Sequence, residues 1–243
     1  LTRKVLIAGC GTGQHLVNIS SYENSNILAV DLSLSSLAFA KRKMQELNIS
    51  NVEFLHSDIL NLKNLNEKFS VIECVGVLHH LKDPEKGLKI LLDILEPKGY
   101  LKLGLYSELA RKHIVETREM IKKYNIKSTI LDIRKFREIV KNDNDNKSFQ
   151  KLNYNYDFYS TSNVRDLIFH AQEHRYTIPK ITKLLSKYNL EFLGFTNSSN
   201  KKMYSKHYPN DLECTSLENW NNFEIINPDI FKQMYQFWLK KND

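Results

Sequence analysis

The chain reads as one α/β domain: a seven-stranded, mostly parallel sheet with helices on both faces and a helical insertion after the fifth strand. Three observations predict it. Apolar runs of strand length alternate with segments of helical periodicity through residues 4–105, an order that calls for parallel pairing with crossover helices. A glycine triplet, Gly9-Cys10-Gly11-Thr12-Gly13, directly follows the first run and opens the next helical segment. Asp31 and Asp58 end the next two runs, at the carboxyl tips where such sheets bind ligands.

Taken in order, Lys4–Ala8 is the first predicted strand, Gln14–Ser21 a short helix and Ile27–Val30 the second strand. Leu34, Leu37, Ala38, Ala40, Met44 and Leu47 recur at helical spacing and predict a helix over Leu34–Leu47. Val52–Leu55 and Phe69–Val75 are the third and fourth strands. The helix Pro84–Leu95 starts sharply, with Asp83 as N-cap and Pro84 at its first position. Pro97-Lys98-Gly99 is expected to turn the chain into a fifth strand, Tyr100–Leu105.

The second half is less regular. Residues 107–141 read as helical and basic, Asn142–Lys147 as a polar loop, and Thr161–Ala171 and Pro179–Tyr188 as helices. Leu190–Phe195 is the sixth strand and Met234–Leu239 the last, entered from a turn at Asn227-Pro228. Leu1 stands within a few residues of a central strand, so the chain is expected to be a domain of a longer polypeptide.

Composition narrows the class. The 243 residues are 42% hydrophobic and 26% charged, ordinary for a globular domain long enough to bury a core. No apolar stretch reaches about 18 residues, so no membrane association is expected. Three scattered cysteines, Cys10, Cys74 and Cys214, suit a reducing compartment, and the expected location is the cytoplasm. The net charge of +7 is uneven: residues 1–108 balance 12 basic against 12 acidic residues, whereas 109–151 hold 12 against 6. A solvated helix face is the preferred reading of that excess, and attraction of an anionic partner the alternative.

Glycines after a strand let the backbone turn tightly and approach a ligand without a Cβ in the way. Dinucleotide-binding loops place their third glycine one position later, where this chain has Gln14. A carboxylate at Asp31 can accept from both hydroxyls of a ribose, and one at Asp58 from an adenine amino group.

With these features the chain resembles the class I S-adenosylmethionine-dependent methyltransferases. The likeness runs through Val5–Gly13, Ala29–Leu32, Phe54–Leu60, Phe69–Cys74 and Val77–Pro84, and through Leu95-Glu96-Pro97-Lys98-Gly99, where Lys98 replaces a frequent glycine. It implies a Rossmann-like fold with S-adenosyl-L-methionine as cofactor and no metal. By that resemblance Gly9, Cys10, Gly11 and Gly13 cradle the methionine part, Asp31 with Leu32 holds the ribose, and Asp58 with Ile59 meets the adenine. The segment Glu73–Val75, including Cys74, passes beside the methionine and the transferable methyl. Residues 1–106 then form the cofactor-binding half, 107–177 a helical insertion roofing the active site, and 178–243 the half that completes the sheet.

Later stretches are similar to methyltransferase domains attached to tetratricopeptide-repeat regions in bacterial proteins, which would put a repeat region upstream in the same chain. The matching text is Gly104–Ser107 with Ala110-Arg111, then Arg165-Asp166-Leu167, His170, Glu173–Thr177, and Asn227-Pro228 through Trp238.

Methyl transfer needs alignment of nucleophile and methyl, and a base only where the nucleophile arrives protonated. Glu173 and His174, just before the helix at Pro179, are the candidate base or acceptor-binding pair, with Tyr106 past the fifth strand as a third candidate. Ser107 is a further contact, and Arg111 can clamp an anion. His79 and His80 read as cofactor lining or structure. His170 and His174 would share a helix face beside Glu173, the ligand order of one zinc-peptidase class, but polar pocket lining is the preferred reading. Tyr154, Tyr156, Phe158 and Tyr159 form either a lid or an apolar patch. The acceptor is expected to be a small molecule or a protein. Rival readings are a nicotinamide-dependent oxidoreductase, a non-catalytic cofactor-binding regulatory module, and an RNA methyltransferase. Nucleic acid is disfavoured by the neutral core and by Glu73-Cys74-Val75-Gly76, which lacks the Asn/Asp-Pro-Pro-aromatic motif.

Overall fold

A computed structural model gives the architecture and describes residues 2–19, 22, 24–169 and 172–243. The first half runs β1 (Arg3–Ala8), α1 (Leu16–Ile19), β2 (Ser25–Asp31), α2 (Leu34–Glu46), β3 (Val52–His56), β4 (Phe69–Val75), α3 (Pro84–Ile94) and β5 (Leu95–Leu105). Four helices follow: α4 (Lys112–Lys123), α5 (Ile130–Asn142), α6 (Lys147–Asn153) and α7 (Thr161–Phe169). The chain closes with α8 (Ile178–Lys187), β6 (Leu190–Phe195), α9 (Ser198–His207), α10 (Leu217–Ile226) and β7 (Tyr235–Lys241).

The seven strands form one sheet in the order β3-β2-β1-β4-β5-β7-β6. All pairs are parallel except those of β7, which runs antiparallel to both β5 and β6. The order reverses between β1 and β4, and a crevice opens there at the carboxyl ends. Val5–Ala8 are buried on both faces, the reason β1 reads as an unbroken apolar run.

One face of the sheet, through Leu6, Ile72, Leu103 and Phe237, joins the largest core with α3, α8 and α10. On the other face, Val5, Ile7 and Ala29 pack with Leu37, Ala40 and Met44 of α2. A third core is separate. Ile114, Ile133, Phe136, Phe149, Phe158 and Val164 hold α4 to α7 together beyond β5. Three backbone hydrogen bonds tie the end of this excursion to the strand tips: Tyr176 N–H to the Tyr106 carbonyl at 2.9 Å, Glu108 N–H to Tyr176 at 2.8 Å, and His174 N–H to His79 at 2.8 Å.

Side-chain caps explain the sharper helix starts. Ser33 accepts from Ser36 N–H to begin α2, and Asp83 accepts from Lys86 N–H ahead of Pro84. Elsewhere the elements depart from the sequence reading. The expected turn at Pro97-Lys98-Gly99 lies inside β5, as a bulge between the pairs Phe69–Leu95 and Val71–Tyr100. Lys98 there takes φ +61°, the left-handed conformation that glycine would hold at no steric cost. The helical stretch 107–141 is two helices, broken where Asn125 takes φ +50° and Thr129 caps α5. Helices α9 and α10 were not foreseen: their asparagine-rich text lacks a clear apolar period, and side-chain caps at Asn197 and Ser216 start them. Among the described residues no helix is long and apolar enough to cross a membrane.

Candidate functional site

A cleft of about 610 Å³ occupies the crevice, with Gly9, Gly11, Asp31, Glu73 and Val77 in its wall. The glycine loop shapes it through two different constraints. Gly13 has φ +81°, and a Cβ there would stand 2.7 Å from that of Ala40, so its smallness lets α2 pack against the loop. Gly11 has φ +52° with nothing within 4 Å of a Cβ position, so its backbone is bare toward the cleft. Asp31 grips that loop from the tip of β2. One carboxylate oxygen accepts the Gly11 N–H at 2.7 Å, and the other accepts the Ser33 N–H at 2.8 Å.

Of the residues expected at a cofactor, Gly9, Cys10, Gly11 and Asp31 share this cleft. Burial, then the Asp31 charge, pushes the Cys10 thiol up to about 12, so it lines the wall as a neutral thiol. The others lie off it. Asp58 caps the short 3₁₀ turn Ile59–Asn64, accepting the Leu60 N–H at 2.8 Å. Ile59 is buried in the largest core, as is Cys74, whose thiol burial pushes up to about 12. Leu32 is 68% exposed beyond the strand tip.

The cleft also holds Glu73, the first residue of the segment expected beside the methionine, as a charged group whose partners the sequence does not announce. Glu73 lies in the central strand β4 and is 1% exposed. One of its oxygens meets His15 Nε2 at 2.6 Å and accepts from Lys102 Nζ at 3.0 Å; the other accepts from the Tyr22 hydroxyl at 3.0 Å. Burial pushes the Glu73 carboxyl up, but the His15 hydrogen bond and the Lys102 charge together hold it below its ordinary value. The available signal was a carboxylate inside the apolar run Val71-Ile72-Glu73-Cys74, since a buried charge demands partners.

Among the described residues, none of Tyr106, Glu173 and His174 lines this cleft. Glu173 is fully committed: Arg111 Nε and Nη2 reach its two oxygens at 3.0 and 2.8 Å, and Arg118 adds a bond at 2.8 Å. Burial raises its carboxyl and the Arg111 and Arg118 charges more than reverse this, so it stays ionised below the usual carboxylate range. Arg111 is likewise engaged, its fork closed on Glu173 and its Cζ 3.8 Å from the centre of the Tyr106 ring. His79 stacks on that ring with centroids 3.8 Å apart.

His174 borders a separate groove with Arg175, Tyr176, Lys82 and Glu85, against α3 and α8. Residues 172–175 run outside any helix, so His174 does not extend the face of α7; His170 lies outside the described residues. Among the described residues no cluster of histidine, cysteine and carboxylate side chains suits a metal. Ser107 is buried and donates to Glu224 at 2.7 Å. In the aromatic run, Phe158 is buried in the insertion core while Tyr154 and Tyr159 are 89% and 58% exposed.

Comparison with known families decides what such a cleft belongs to: a family model described as a methyltransferase domain matches residues 2–158. The chain belongs to that methyltransferase family. Membership makes it a methyltransferase domain, with S-adenosylmethionine as the cofactor of the fold. An uncharacterized protein of Synechococcus sp. is 25% identical over 255 residues, covering 98% of this chain and 60% of its own length. A ubiquinone biosynthesis O-methyltransferase of Acinetobacter baumannii is 25% identical over 100 residues, 41% of this chain and 42% of its own. The structure of PKMT2 from Rickettsia typhi superposes with a TM-score of 0.68 at 22% identity, covering 100% of this chain and 50% of that one. At that identity the likeness is one of fold. The chain therefore spans 60% of the Synechococcus relative and half of the rickettsial one.

Proposed function

We propose that this domain binds S-adenosylmethionine in the β1–β4 cleft and transfers its methyl group to a small-molecule or protein acceptor. The observation that carries the reading is the junction of Gly11 and Asp31, a bare backbone and a carboxylate hydrogen-bonded to each other at the mouth of one cleft. The residues fit the nucleoside. Each Asp31 oxygen spends one lone pair on a backbone N–H and keeps capacity for a ribose hydroxyl. Gly11 leaves room for a ligand at van der Waals distance. When bound, the cofactor supplies an electrophilic sulfonium methyl.

The chain's own task is to orient and to exclude water. Gly9, Gly11 and Val77 wall the cleft beside β1 and β4, and the insertion 107–177 roofs the strand tips in this reading. Glu173 serves as a positioning residue: it fixes Arg111 on the face of Tyr106, and its commitment to two arginines argues against a role as base. Free, buried cysteines support a reducing, cytoplasmic setting. Attachment to an upstream tetratricopeptide-repeat region rests on the sequence resemblance alone.

Transfer of labelled methyl from S-adenosylmethionine to a fractionated extract tests the proposal and sorts the product as small molecule, protein or RNA. Tighter binding of NAD than of S-adenosylhomocysteine would overturn it.

A further inference from the structure

A second cavity, of about 230 Å³, opens beside the cleft where β6 ends and β7 begins. Because β7 runs antiparallel to β5, its first residues lie with the carboxyl ends of the parallel strands. Val75, Gly104 and Gln236 stand in register there, across β4, β5 and β7. Gln236 lines both cavities. Met234 lines the second and reaches the first: its Cε lies 3.7 Å from where a Cβ on Gly76 would stand, and Gly76 is part of the cleft wall. The two spaces share a partition.

The second cavity offers hydrogen-bond donors and a positive charge, with nothing to take up a proton. Among the described residues its lining holds no histidine, aspartate or glutamate. Asn197 spends its carboxamide oxygen on the Asn200 N–H at 3.0 Å, which leaves it N–H groups to offer. Gln233 and Lys232 add a carboxamide and an ammonium, and Phe195 and Phe231 give an apolar backing. The carboxylate of Asp229, one turn before Lys232, is taken by Lys151 at 2.7 Å, so among the described residues the Lys232 ammonium has no ion-pair partner. The carboxylates of the neighbouring cleft are spent as well. Asp31 grips the glycine loop, and Glu73 is held by His15, Lys102 and Tyr22.

A pocket without a base suits a nucleophile that has no proton to lose. At neutral pH alcohols, phenols, thiols and ammonium groups carry one, whereas a carboxylic acid, with a pKa of about 4, has already lost it. A neutral ring nitrogen also needs no base, but its methylation would create a cation beside Lys232. A carboxylate is drawn in by the same charge. Transfer to it moves no proton: an oxygen lone pair forms the new C–O bond, the S–CH3 bond breaks, and its electron pair stays on sulfur. Anion and sulfonium become neutral ester and thioether, a step that a water-poor site favours.

Resting on the cofactor reading above, we propose that the second cavity seats a small organic acid as the methyl acceptor. Lys232 is the cation that selects its charge, and Gln236 meets its carboxylate at the partition. The product is a methyl ester.

Calorimetry on the full chain saturated with S-adenosylhomocysteine tests the seat. Benzoate, phenylacetate and hexanoate are each compared with the matching amide and amine. In at least one set the acid should bind about tenfold tighter than its amide, in line with a charge-assisted hydrogen bond, and the amine weakest. Lys232 is exposed, so its substitution spares the fold. Lys232→Met should weaken the preferred acid at least about fivefold and leave its amide within about twofold, as loss of one charge contact predicts. Lys232→Glu should turn the preference toward the amine. In the extract assay, label in the small-molecule fraction should be released as methanol by mild alkali, as an ester is. No acid preferred over its amide, equal loss of acid and amide in Lys232→Met, alkali-stable label, or label carried by protein each overturns the proposal and leaves the cofactor reading intact. A chain that does not bind S-adenosylhomocysteine overturns that reading, and this proposal with it.

Discussion

Arg111 and Glu173 form a forked pair, two parallel N–H···O bonds of 3.0 and 2.8 Å between groups 6% and 1% exposed. One partner begins the insertion and the other ends it, so the pair stitches the excursion shut.

Removing one member of such a pair leaves a buried charge uncompensated, which costs about 3–5 kcal/mol. Glu173→Gln should therefore lower the midpoint of urea unfolding markedly, while S-adenosylhomocysteine affinity in the folded fraction stays near wild type. A wild-type unfolding midpoint would mean that the arginines find other partners.

Acid should weaken the fold in two stages. Burial, then Lys151 and Arg111, push the His113 imidazole down to about 4 from its ordinary 6.5. Between those values the unfolded chain binds a proton that the native state refuses, so stability falls as pH falls. Discounted for partial exposure, the loss between pH 7 and 5 is about 1 kcal/mol, and His113→Gln should flatten that slope. Below about 4.5, Glu73 and Glu173 act in the same direction, since both are held under their ordinary value and must be protonated as the native state is lost. Urea unfolding at a series of pH values reads both stages, and an unchanged slope in His113→Gln would assign the first elsewhere.

The two glycines that shape the loop should respond differently. Gly13→Ala forces a Cβ against Ala40 in a left-handed backbone and should destabilise the domain by about 1–3 kcal/mol. Gly11→Ala meets no atom and should cost only about 1 kcal/mol of stability, yet weaken S-adenosylhomocysteine binding. Thermal melts with and without ligand separate the two effects.

Asp31→Asn and Asp31→Ala test the ribose contact. Loss of the carboxylate should cost about 1.5–3 kcal/mol of binding per hydrogen bond to a charged acceptor. Asn keeps one acceptor and should retain part of it. Equal affinity in wild type and both variants would put the ribose elsewhere.

Lys98→Gly should stabilise the fold by about 0.5–1 kcal/mol, because Lys98 occupies a left-handed backbone in the β5 bulge. Its ion pair with Asp243 is exposed at both ends and offsets little of that gain. A lower melting temperature would contradict this.

The sheet was legible because its signals are local. Continuous apolar runs mark strands covered on both faces, and Ser33 and Asp83 announce helix starts within a few residues. The glycine loop and Asp31 were legible for the same reason. Asp58 carries two local signals at once: a carboxylate after a strand serves a cap as readily as a ligand, and here one of its oxygens bonds the Leu60 N–H. The Glu173 arrangement needed Arg111 and Arg118, 62 and 55 residues away, which no spacing rule links to it. Glu73 stood in plain view within its strand, but Lys102 and Tyr22 reach it only through strand pairing and loop closure.

The insertion departs from the sheet at Ser107 and rejoins it at Tyr176, two residues that form a parallel bridge with each other. Among the described residues, those between them pack round an apolar centre of their own and share no rung with the seven strands. Such a segment keeps its packing apart from the pairing of the sheet. A lineage could trade it for another helical segment without rewriting the sheet, because closing a long loop costs little more than closing a shorter one. The glycine loop and Asp31 would pass through the exchange untouched, and only the surface above the strand tips would change.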